Sequence, residues 1–567
     1  MVNIVCLKDW PNRTGLPEAG WAFLFFKDDF TMKKSILIFL MMQLPALAVL
    51  SQDTEQWWKE TVFYQIYMPS FQDSNGDGIS DFAGMTSRLG YIQDLGIKGI
   101  WLTPFLESPK VDNGYDVADY YRTDPSYGDL NDFKTFLDEA HRRGIRVIMD
   151  MVVNHTSTDC RWFQESRKSR DNPYRDYYIW RDEPNNWESF FGGKAWEYDS
   201  VTLQYYYHKF DVRMADLNWG NPAVAEEISR VLRFWLDLGV DGFRMDVINF
   251  LTTDGILSDN PMKDGSQQHI YDIDQPGIKV AMARIRSVVD EYPGRFLVGE
   301  VGSDKPEILR KYQSPETMDV VFNFNFGSIP GFSPGRLYSE LRSMNRQMPG
   351  YPTLFFGSHD NPRPMSRLAG GSIHRAKALA ALILSAKGVP FVYFGDELGM
   401  ENIIAKSPEE IVDVQGRTHY RLALEAGKSV EEALEEGNRH NRDKSRSPMQ
   451  WDNSLNAGFT TGKPWIGVHE NHREVNVEAL KKDGNSILNA HKGLIHLRNR
   501  EKTLQYGSME RLKLKKNLLT FTRRLGNDRI GVVIALDLDA AVKLPRGAEI
   551  LAGTPDLRTS GFVIYRY

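Results

Sequence analysis

The chain has little cysteine, with only Cys6 and Cys160 among its 567 residues. Two cysteines cannot form a disulfide framework, and neither has the spacing of metal ligands, so we expect Cys160 to be an inert single thiol. The sequence also lacks a basic tract, and its net charge is −6. Nucleic acid is therefore not an expected partner.

One apolar run near the N-terminus has the features of a targeting segment. Residues 32–51 start with Met-Lys-Lys, continue through an apolar stretch and end in small residues, which is typical of a signal peptide. We expect residues 1–31 to be an over-extended start, and the mature protein to be exported, periplasmic or secreted, without stable membrane insertion. The alternative is an uncleaved anchor, although the run is shorter than the roughly 20 residues that span a bilayer.

Beyond residue 57 the chain alternates between strand-like apolar runs and helix-like segments. Eight such strands separated by helices predict an α/β fold, a (β/α)8 TIM barrel, over residues 57–154 and 219–504. The later strand candidates end near Asp246, Glu300, Phe324, Ser358 and Gly395, and helix candidates at 223–238, 278–292 and 374–386 lie between them.

Three segments depart from this alternation. Residues 155–218 are rich in Tyr, Trp, Asn and Gly, and they predict a small inserted domain B after the third strand. Residues 401–447 are charged and helix-prone, and form a long excursion after the eighth strand. Residues 505–567 carry strand signals separated by turns, which predict a C-terminal antiparallel β domain.

Residues 73–81 place oxygen-bearing side chains at alternate positions. This spacing resembles the first half of a calcium loop, in which alternating oxygens converge on a hard cation. The segment lacks the helix pair and the terminal glutamate of an EF-hand, and the alternative is an acidic turn. For a structural calcium ion the candidate ligands are Asp73, Asn75, Asp77, Ile79 and Asp81.

Polar residues follow several of the apolar runs at their carboxyl ends. Active sites of (β/α)8 barrels lie at that end of the strands, and buried charges are costly unless they are paired. A cluster of these side chains without a function is therefore disfavoured. The set consists of Asp150, Asn154, His155, Arg244, Asp246, Glu300, His359 and Asp360.

The acids of this set suit the hydrolysis of a glycosidic bond, which needs an ionised nucleophile and a protonated acid. Arg244 and Asp246 share one side of an extended strand, and the guanidinium is expected to keep Asp246 ionised. Asp246 is then a nucleophile or, alternatively, half of a structural salt bridge. Glu300 follows the apolar segment 296–299, which could raise its pKa and keep its proton. Asp360 is expected to grip sugar hydroxyls and favour the distorted ring.

Four ordered motifs carry a family resemblance: Asp-Met-Val-Val-Asn-His at 150–155, Gly-Phe-Arg-Met-Asp at 242–246, Gly-Glu at 299–300 and Ser-His-Asp-Asn-Pro-Arg at 358–363. From about residue 57 to its end, the sequence resembles the α-amylase superfamily (glycoside hydrolase family 13), in the α-glucosidase and oligo-1,6-glucosidase branch. The known calcium site of that branch matches residues 73–81. The resemblance implies no organic cofactor.

The resemblance implies a retaining, exo-acting enzyme that takes short α-gluco-oligosaccharides or disaccharides. Asp246 would form the glucosyl-enzyme, Glu300 would act first as acid and then as base, and Asp360 would stabilise the transition state. The residues implied in substrate binding are Asp112, Tyr115, His155, Phe210, Arg244, His359 and Arg442.

Departures from the branch leave the linkage open. Met214 stands where the branch usually has Gln. In the branch, Val at the position of Val247 accompanies α-1,6 cleavage, whereas residues 269–294 resemble α-1,4 maltases. One alternative function is a glucosyl-transferring or isomerising enzyme, although the segment after Glu300 lacks the Arg-rich aromatic loop of sucrose isomerases. Another is a non-catalytic, membrane-anchored relative that resembles amino-acid transporter heavy chains.

Overall fold

The computed structural model describes residues 56–253, 258–348, 350–537 and 540–567. The predicted start at 1–31 and signal peptide at 32–51 lie outside these residues. Within the described ranges, no helix combines the length and the apolarity that crossing a bilayer requires.

Eight parallel strands form one sheet, as the sequence predicts. Their order in the sheet is β6-β5-β4-β3-β2-β1-β8-β7, so the first strand pairs with the last, as in a closed barrel. The strands are β1 (Phe63–Ile66), β2 (Gly99–Leu102), β3 (Arg146–Met151), β4 (Gly242–Met245), β5 (Phe296–Gly299), β6 (Val320–Val321), β7 (Thr353–Leu354) and β8 (Val389–Tyr393).

Strands β6 and β7 have two residues each and meet through a side chain. The Thr353 hydroxyl donates to the carbonyl of Val321 at 3.1 Å and accepts from the Asn323 amide at 3.0 Å. The sequence predicts that these strands end near Phe324 and Ser358, whereas they end earlier in the chain, at Val321 and Leu354. The Asn323 side chain instead accepts from the Asn325 amide and begins a helical turn at Phe324–Gly327, which ends the extended backbone.

A helix follows each strand, and its start is set by local sequence. Asp129 and Asp132 form a capping box at the start of α2, and Asn221 caps α3, where Pro222 fits the first turn. The helices are α1 (Phe82–Leu95), α2 (Leu130–Arg142), α3 (Pro222–Asp237), α4 (Ile278–Val289), α5 (Pro306–Tyr312), α6 (Pro334–Gln347), α7 (Ile373–Ser385) and α8 (Ile487–Arg500).

Aromatic side chains fill the interior of the barrel. The Phe63 ring stacks on the Phe391 ring at 4.8 Å and on the Phe296 ring at 5.2 Å. These three residues belong to β1, β8 and β5. Trp101 and Phe322 join the same buried cluster nearer the carboxyl ends. Buried parallel strands present apolar residues on both faces. The aromatic cluster therefore fills the barrel interior beneath the carboxyl ends of the strands.

The three departures from the alternation are also structured. Residues 155–218 contain a three-stranded antiparallel sheet formed by Trp180–Arg181, Gln204–Tyr207 and Trp196–Asp199. Residues 401–447 contain two helices, Val414–Glu425 and Val430–His440, which we call the excursion helices.

The C-terminal region forms a five-stranded antiparallel sheet, as predicted. One of its strands, β12, has no counterpart in the sequence-based prediction. Its residues are exposed or half-buried, so they do not form the apolar pattern that marks the other strands. The strands are β9 (Ser508–Lys515), β10 (Leu518–Leu525), β11 (Asp528–Ala535), β12 (Glu549–Gly553) and β13 (Phe562–Arg566).

Candidate active site

A cavity of about 510 Å³ lies at the carboxyl ends of the barrel strands. The barrel, the inserted domain and the excursion after β8 all contribute to its lining. All ten residues predicted for catalysis and substrate binding line this one cavity: Asp112, Tyr115, His155, Phe210, Arg244, Asp246, Glu300, His359, Asp360 and Arg442.

The Arg244 guanidinium joins three carboxyl groups from neighbouring strands. Its Nη1 donates to Asp150 Oδ1 at 2.7 Å and to Asp246 Oδ1 at 2.6 Å, and its Nη2 donates to Glu300. Strands β3, β4 and β5 are adjacent in the sheet, so their ends bring these acids together around one cation.

Burial raises the pKa of Asp246 well above its ordinary value, because the Arg244 charge is offset by Glu300 and Asp150. Burial also raises the pKa of Asp150 to about 6, against the opposing effect of Arg244. This differs from the sequence-based expectation, in which Arg244 alone keeps Asp246 ionised. One guanidinium cannot balance three buried carboxylates, so the burial of these acids favours a protonated carboxyl group in the cluster.

Asp360 lies beside this cluster and stays ionised. Burial opposes its charge, but the polar contact of His359 Nε2 with Asp360 Oδ2 at 3.1 Å and the charges of Arg442 and Arg446 outweigh burial and lower its pKa to about 2. Burial lowers the pKa of His359 itself to about 3. The ring is therefore neutral near pH 7, and the two arginines supply the net positive charge that holds Asp360 ionised.

A hydrogen-bonded chain fixes the orientation of the His359 ring. The Gln65 amide donates to His359 Nδ1 at 2.8 Å, which leaves the proton on Nε2, 2.6 Å from the Tyr115 hydroxyl. Tyr115 donates in turn to Asp150 Oδ2 at 2.9 Å, and its ring stacks on His359 at 5.4 Å. The chain thus connects the side chains that follow β3 and β7.

His155 presents a polar atom without a partner to the cavity. It is buried, and among the described residues no group hydrogen-bonds to its Nε2. Burial lowers its pKa to about 3, so the ring is neutral. Phe210 lies against it at 5.2 Å, and Met214 lines the cavity beside them. A neutral imidazole next to an aromatic face suits a sugar hydroxyl and the apolar side of its ring.

A second cation, Arg442, forms another ionic network in the wall of the cavity. Its Nη2 donates to Asp112 and, at 2.6 Å, to Asp413, while its Nη1 lies 3.4 Å from Asp360. Arg446 also contacts Asp413, at 3.4 Å. Asp413 is buried, and although burial opposes its charge, Arg442 and Arg446 lower its pKa.

Val247 has an unusual backbone conformation next to Asp246. Its φ is +35° and its ψ is +45°, a left-handed geometry that is costly for a β-branched residue. Its amide lies 3.3 Å from Glu300 Oε2, and the next amide, of Ile248, donates to the Glu300 carbonyl at 3.1 Å. The turn after β4 therefore holds the side chain of Val247 in the cavity.

Sequence reasoning missed several members of the site. Asp150 was recognised at a strand end but received no role, although it is a direct partner of Arg244. Asp413 gave no signal, because it begins a charged, helix-prone segment and closes no apolar run, and its partners Arg442 and Arg446 follow a second helix. The remaining lining residues without a prediction include Phe190, Phe191, Phe250 and Gln415.

The loop at 73–81 winds around its own oxygens. The side-chain oxygens of Asp73, Asn75 and Asp77 each accept from the amide two residues further on, at 2.8–2.9 Å. Asp81 caps α1 through the Gly84 amide. Asp73, Asn75 and Asp77 occupy every second position of the loop, and Ile79 and Asp81 occupy the next two such positions. Oxygen atoms at this spacing are of the kind that could hold a calcium ion.

Comparisons with known proteins identify relatives of the chain. The alpha-amylase family (alpha amylase, catalytic domain) matches residues 65–507. The oligo-1,6-glucosidase of Parageobacillus thermoglucosidasius is 41% identical over 505 residues, which cover 84% of this chain and 90% of that protein. The trehalose-6-phosphate hydrolase of Bacillus subtilis (strain 168) is 36% identical over 507 residues, or 85% and 90% of the two chains.

A solved structure agrees with these sequence matches. The trehalulose synthase from Pseudomonas mesoacidophila MX-45 superimposes with a TM-score of 0.84 at 35% identity, covering 90% of this chain and 99% of that one. These relatives share a fold and differ in their reactions, so the contacts in the cavity must decide between them.

Proposed function

Because the chain belongs to the alpha-amylase family and is a glycoside hydrolase, we propose that it is a retaining exo-α-glucosidase that removes glucose from the non-reducing end of short α-glucosides. Within that activity we propose a preference for α-1,6 linkages of the isomaltose type. Because the chain is a glycoside hydrolase, the alternative of a non-catalytic relative of amino-acid transporter heavy chains is not supported.

The observation that carries the proposal is the joint contact of Asp246 and Glu300 with Arg244. Because both carboxyl groups contact the same guanidinium group, they lie close to each other at the ends of β4 and β5. Inverting glycosidases need a wider gap for that water, whereas retaining enzymes keep the two groups close. Asp246 is then the nucleophile that forms the glucosyl-enzyme, and Glu300 is the acid that protonates the leaving oxygen.

The raised pKa of Asp246 supports this division of roles. It favours a proton held by the two carboxyl groups that contact Arg244. A sugar oxygen that accepts from Glu300 would draw this proton toward Glu300 and leave Asp246 charged beside Arg244. Asp360, whose pKa of about 2 keeps it ionised, would favour the positive charge that develops on the sugar ring.

The Arg442 network supports exo action. The ion pairs from Asp112 through Arg442 to Asp413 join the loop after β2 to the excursion after β8. Such a link across one wall of the cavity would stop a longer polysaccharide from passing through. Substrate would then enter by its non-reducing end, with His155 and His359 contacting the terminal glucose.

Two features support a neutral α-1,6-linked substrate. Val247, which is the branch residue that goes with α-1,6 cleavage, lines the cavity next to Asp246, and relatives that are 38–41% identical are oligo-1,6-glucosidases. Among the described lining residues, the two cations Arg244 and Arg442 are already paired with carboxylates. A phosphorylated disaccharide would find no unpaired cation there.

A substrate panel tests the proposal. Maltose, isomaltose, sucrose, trehalose, trehalose 6-phosphate and maltotriose would be incubated with the enzyme, and the products would be resolved by chromatography and NMR. We expect the highest kcat/KM on isomaltose, with α-glucose as the first product. Initial release of β-glucose would contradict retention, and isomerised sucrose or transfer products would favour the glucosyl-transferring alternative.

We also propose that residues 73–81 bind a structural calcium ion. The support is the alternation of Asp73, Asn75 and Asp77 in a tightly wound loop. Millimolar CaCl2 should raise the Tm of the EDTA-treated protein by several degrees, and Asp77→Ala should remove this response. The surface variant Asp138→Ala is the control, and an unchanged calcium response in Asp77→Ala would contradict the site.

Finally, we propose that the protein is exported after cleavage near Ser51. The support is the sequence pattern of residues 32–51 alone. Intact-mass measurement of the protein from a bacterial host, after separation of periplasm from cytoplasm, tests it. A mature chain that begins near residue 51 is expected, and a membrane-bound chain that retains these residues would favour the anchor.

A further inference from the structure

The excursion helices bring two histidines and a glutamate together outside the cavity. Glu436 and His440 are four residues apart on the second helix, a spacing that places them on one face. His419 lies opposite them on the first helix, and one ligand atom from each residue lies within 4.8 Å of the other two.

The contacts within this cluster leave nitrogen atoms available. The His419 and His440 rings stack at 3.6 Å, nearly parallel, and His440 Nε2 lies 3.3 Å from Glu436 Oε1. Lys428 and Arg439 contact the other oxygen of Glu436, at 3.2 Å and 3.1 Å. In the described part of the chain, neither ring nitrogen of His419 has a hydrogen-bond partner.

We propose that His419, Glu436 and His440 form a binding site for a divalent transition metal, with Zn²⁺ as the preferred ion. Two imidazoles and one carboxylate supply three ligands, and a water can take the fourth position of a tetrahedral site. Lys428 and Arg439 would then orient the carboxylate from its outer side.

The cluster needs only local adjustment to bind the ion. Ligand atoms around tetrahedral zinc are roughly 3.3 Å apart, given metal–ligand distances near 2.0 Å, so ligand atoms that lie up to 4.8 Å apart must approach by at most about 1.5 Å. Imidazole lone pairs lie in the ring plane, which means that one of the stacked rings must turn. All three side chains are half-buried, so none of them is fully enclosed by the core. Burial and the neighbouring His440 also lower the pKa of His419, which favours the neutral, ligating form.

A bound ion would connect this site to the wall of the cavity. Asp413 caps the first excursion helix, and Arg442 follows the second helix after one residue. The Arg442–Asp413 ion pair therefore joins the ends of the same two helices that the metal would clip together. We expect Zn²⁺ to lower KM two- to fivefold without a change in kcat.

Zinc titration by calorimetry tests the proposal on the full chain, stripped with a chelating resin and supplied with millimolar CaCl2 so that the loop at 73–81 is filled. One Zn²⁺ per chain should bind with a micromolar Kd and raise the Tm. His419→Ala/His440→Ala should weaken binding at least 100-fold while zinc-free kcat and far-UV circular dichroism stay unchanged. Glu436→Gln should weaken binding about tenfold.

The control is His472→Ala, which removes a half-buried histidine from another part of the chain and should bind Zn²⁺ like the wild type. Unchanged zinc affinity in the double variant would overturn the proposal, because the ion would then bind elsewhere. A millimolar or weaker Kd in the wild type would overturn it as well. If the double variant does not fold, His419→Ala alone provides the same comparison.

Discussion

Arg244 and Arg442 each contact three carboxyl groups in the cavity, yet the two networks differ in origin. Arg244 sits on strand β4 and pairs with residues at the ends of β3, β4 and β5. Arg442 follows an excursion helix and pairs with Asp112, which is 330 residues away in the chain, and with Asp413 and Asp360.

The difference separates the residues that support the chemical step from those that shape the entrance of the cavity. Adjacent barrel strands hold the Arg244 network, so its acids keep a fixed spacing, as the chemical step requires. The Arg442 network spans a loop and an excursion, and it shapes the entrance for one class of substrate. We therefore expect changes in the first network to lower kcat and changes in the second to raise KM.

Asp246→Asn should cause the largest loss. An amide cannot form the glucosyl-enzyme, so kcat on isomaltose should fall by at least about 10⁴-fold. The amide oxygen still accepts from Arg244, and the Tm should stay within a few degrees of the wild type. Asp138→Asn, on the surface of α2, is the control. Retained turnover of a nitrophenyl α-glucoside by Asp246→Asn would defeat the nucleophile assignment.

Glu300→Gln should cost less, and the cost should depend on the leaving group. Without an acid, kcat on isomaltose should fall about 10³-fold, whereas a nitrophenyl α-glucoside needs little protonation and should lose about tenfold. Steady-state kinetics on both substrates measure the contrast. Losses of the same size on the two substrates would count against the role of Glu300 as the acid.

Arg442→Ala should act through binding. Removing the cation leaves Asp112 buried without its partner and Asp413 with Arg446 alone, so kcat/KM should fall about 10²-fold, mainly through KM. The Tm should fall as well, since the loss of one partner of a buried pair costs about 3–5 kcal/mol. An equal fall in kcat would place this arginine among the groups that act in the chemical step.

Asp413→Asn tests the Arg442 network with a smaller expected loss of kcat/KM than Arg442→Ala. The amide oxygen can still accept from Arg442, so we expect about a tenfold rise in KM with kcat within twofold of the wild type. Kinetics on isomaltose, beside Asp138→Asn as the control, test this result. A change in kcat without a change in KM would argue against a role for Asp413 in shaping the entrance.

Val247→Thr should give the smallest effect and bears on linkage. Both side chains are β-branched and similar in size, so the left-handed backbone costs them alike. The ratio of kcat/KM for isomaltose to that for maltose should fall several-fold, and competition assays with both substrates measure it. An unchanged ratio would mean that linkage preference does not depend on this position.

The two networks also differ in how far the sequence predicts them. Arg244, Asp246 and Glu300 each close an apolar run, and parallel strands bring such ends together, so their meeting follows from the barrel alone. Arg442 was found through the family resemblance, and Asp413 was not found at all. No periodic pattern connects a helix-prone excursion to a loop hundreds of residues away.

The fold shows the same contrast between regular and irregular parts. The barrel follows from the alternation of apolar runs and the C-terminal sheet from strand signals separated by turns, and the predicted helix at 223–238 matches α3 within one residue at each end. Strand β12 and the short strands β6 and β7 were not placed correctly, because exposed residues and helical turns weaken the apolar signal. The raised pKa of Asp246 depends on burial and on Glu300 and Asp150 together, so one motif does not predict it.

The Thr353 hydroxyl between β6 and β7 has a consequence for how the barrel opens. Elsewhere the strands exchange backbone hydrogen bonds, whereas in the described part of the chain this junction is bridged by the side chains of Thr353 and Gln313. Amide protons at Asn323 and its neighbours should therefore exchange with solvent faster than those of β3 and β4. The barrel would then have a defined seam, and transient exposure of its aromatic interior would begin there.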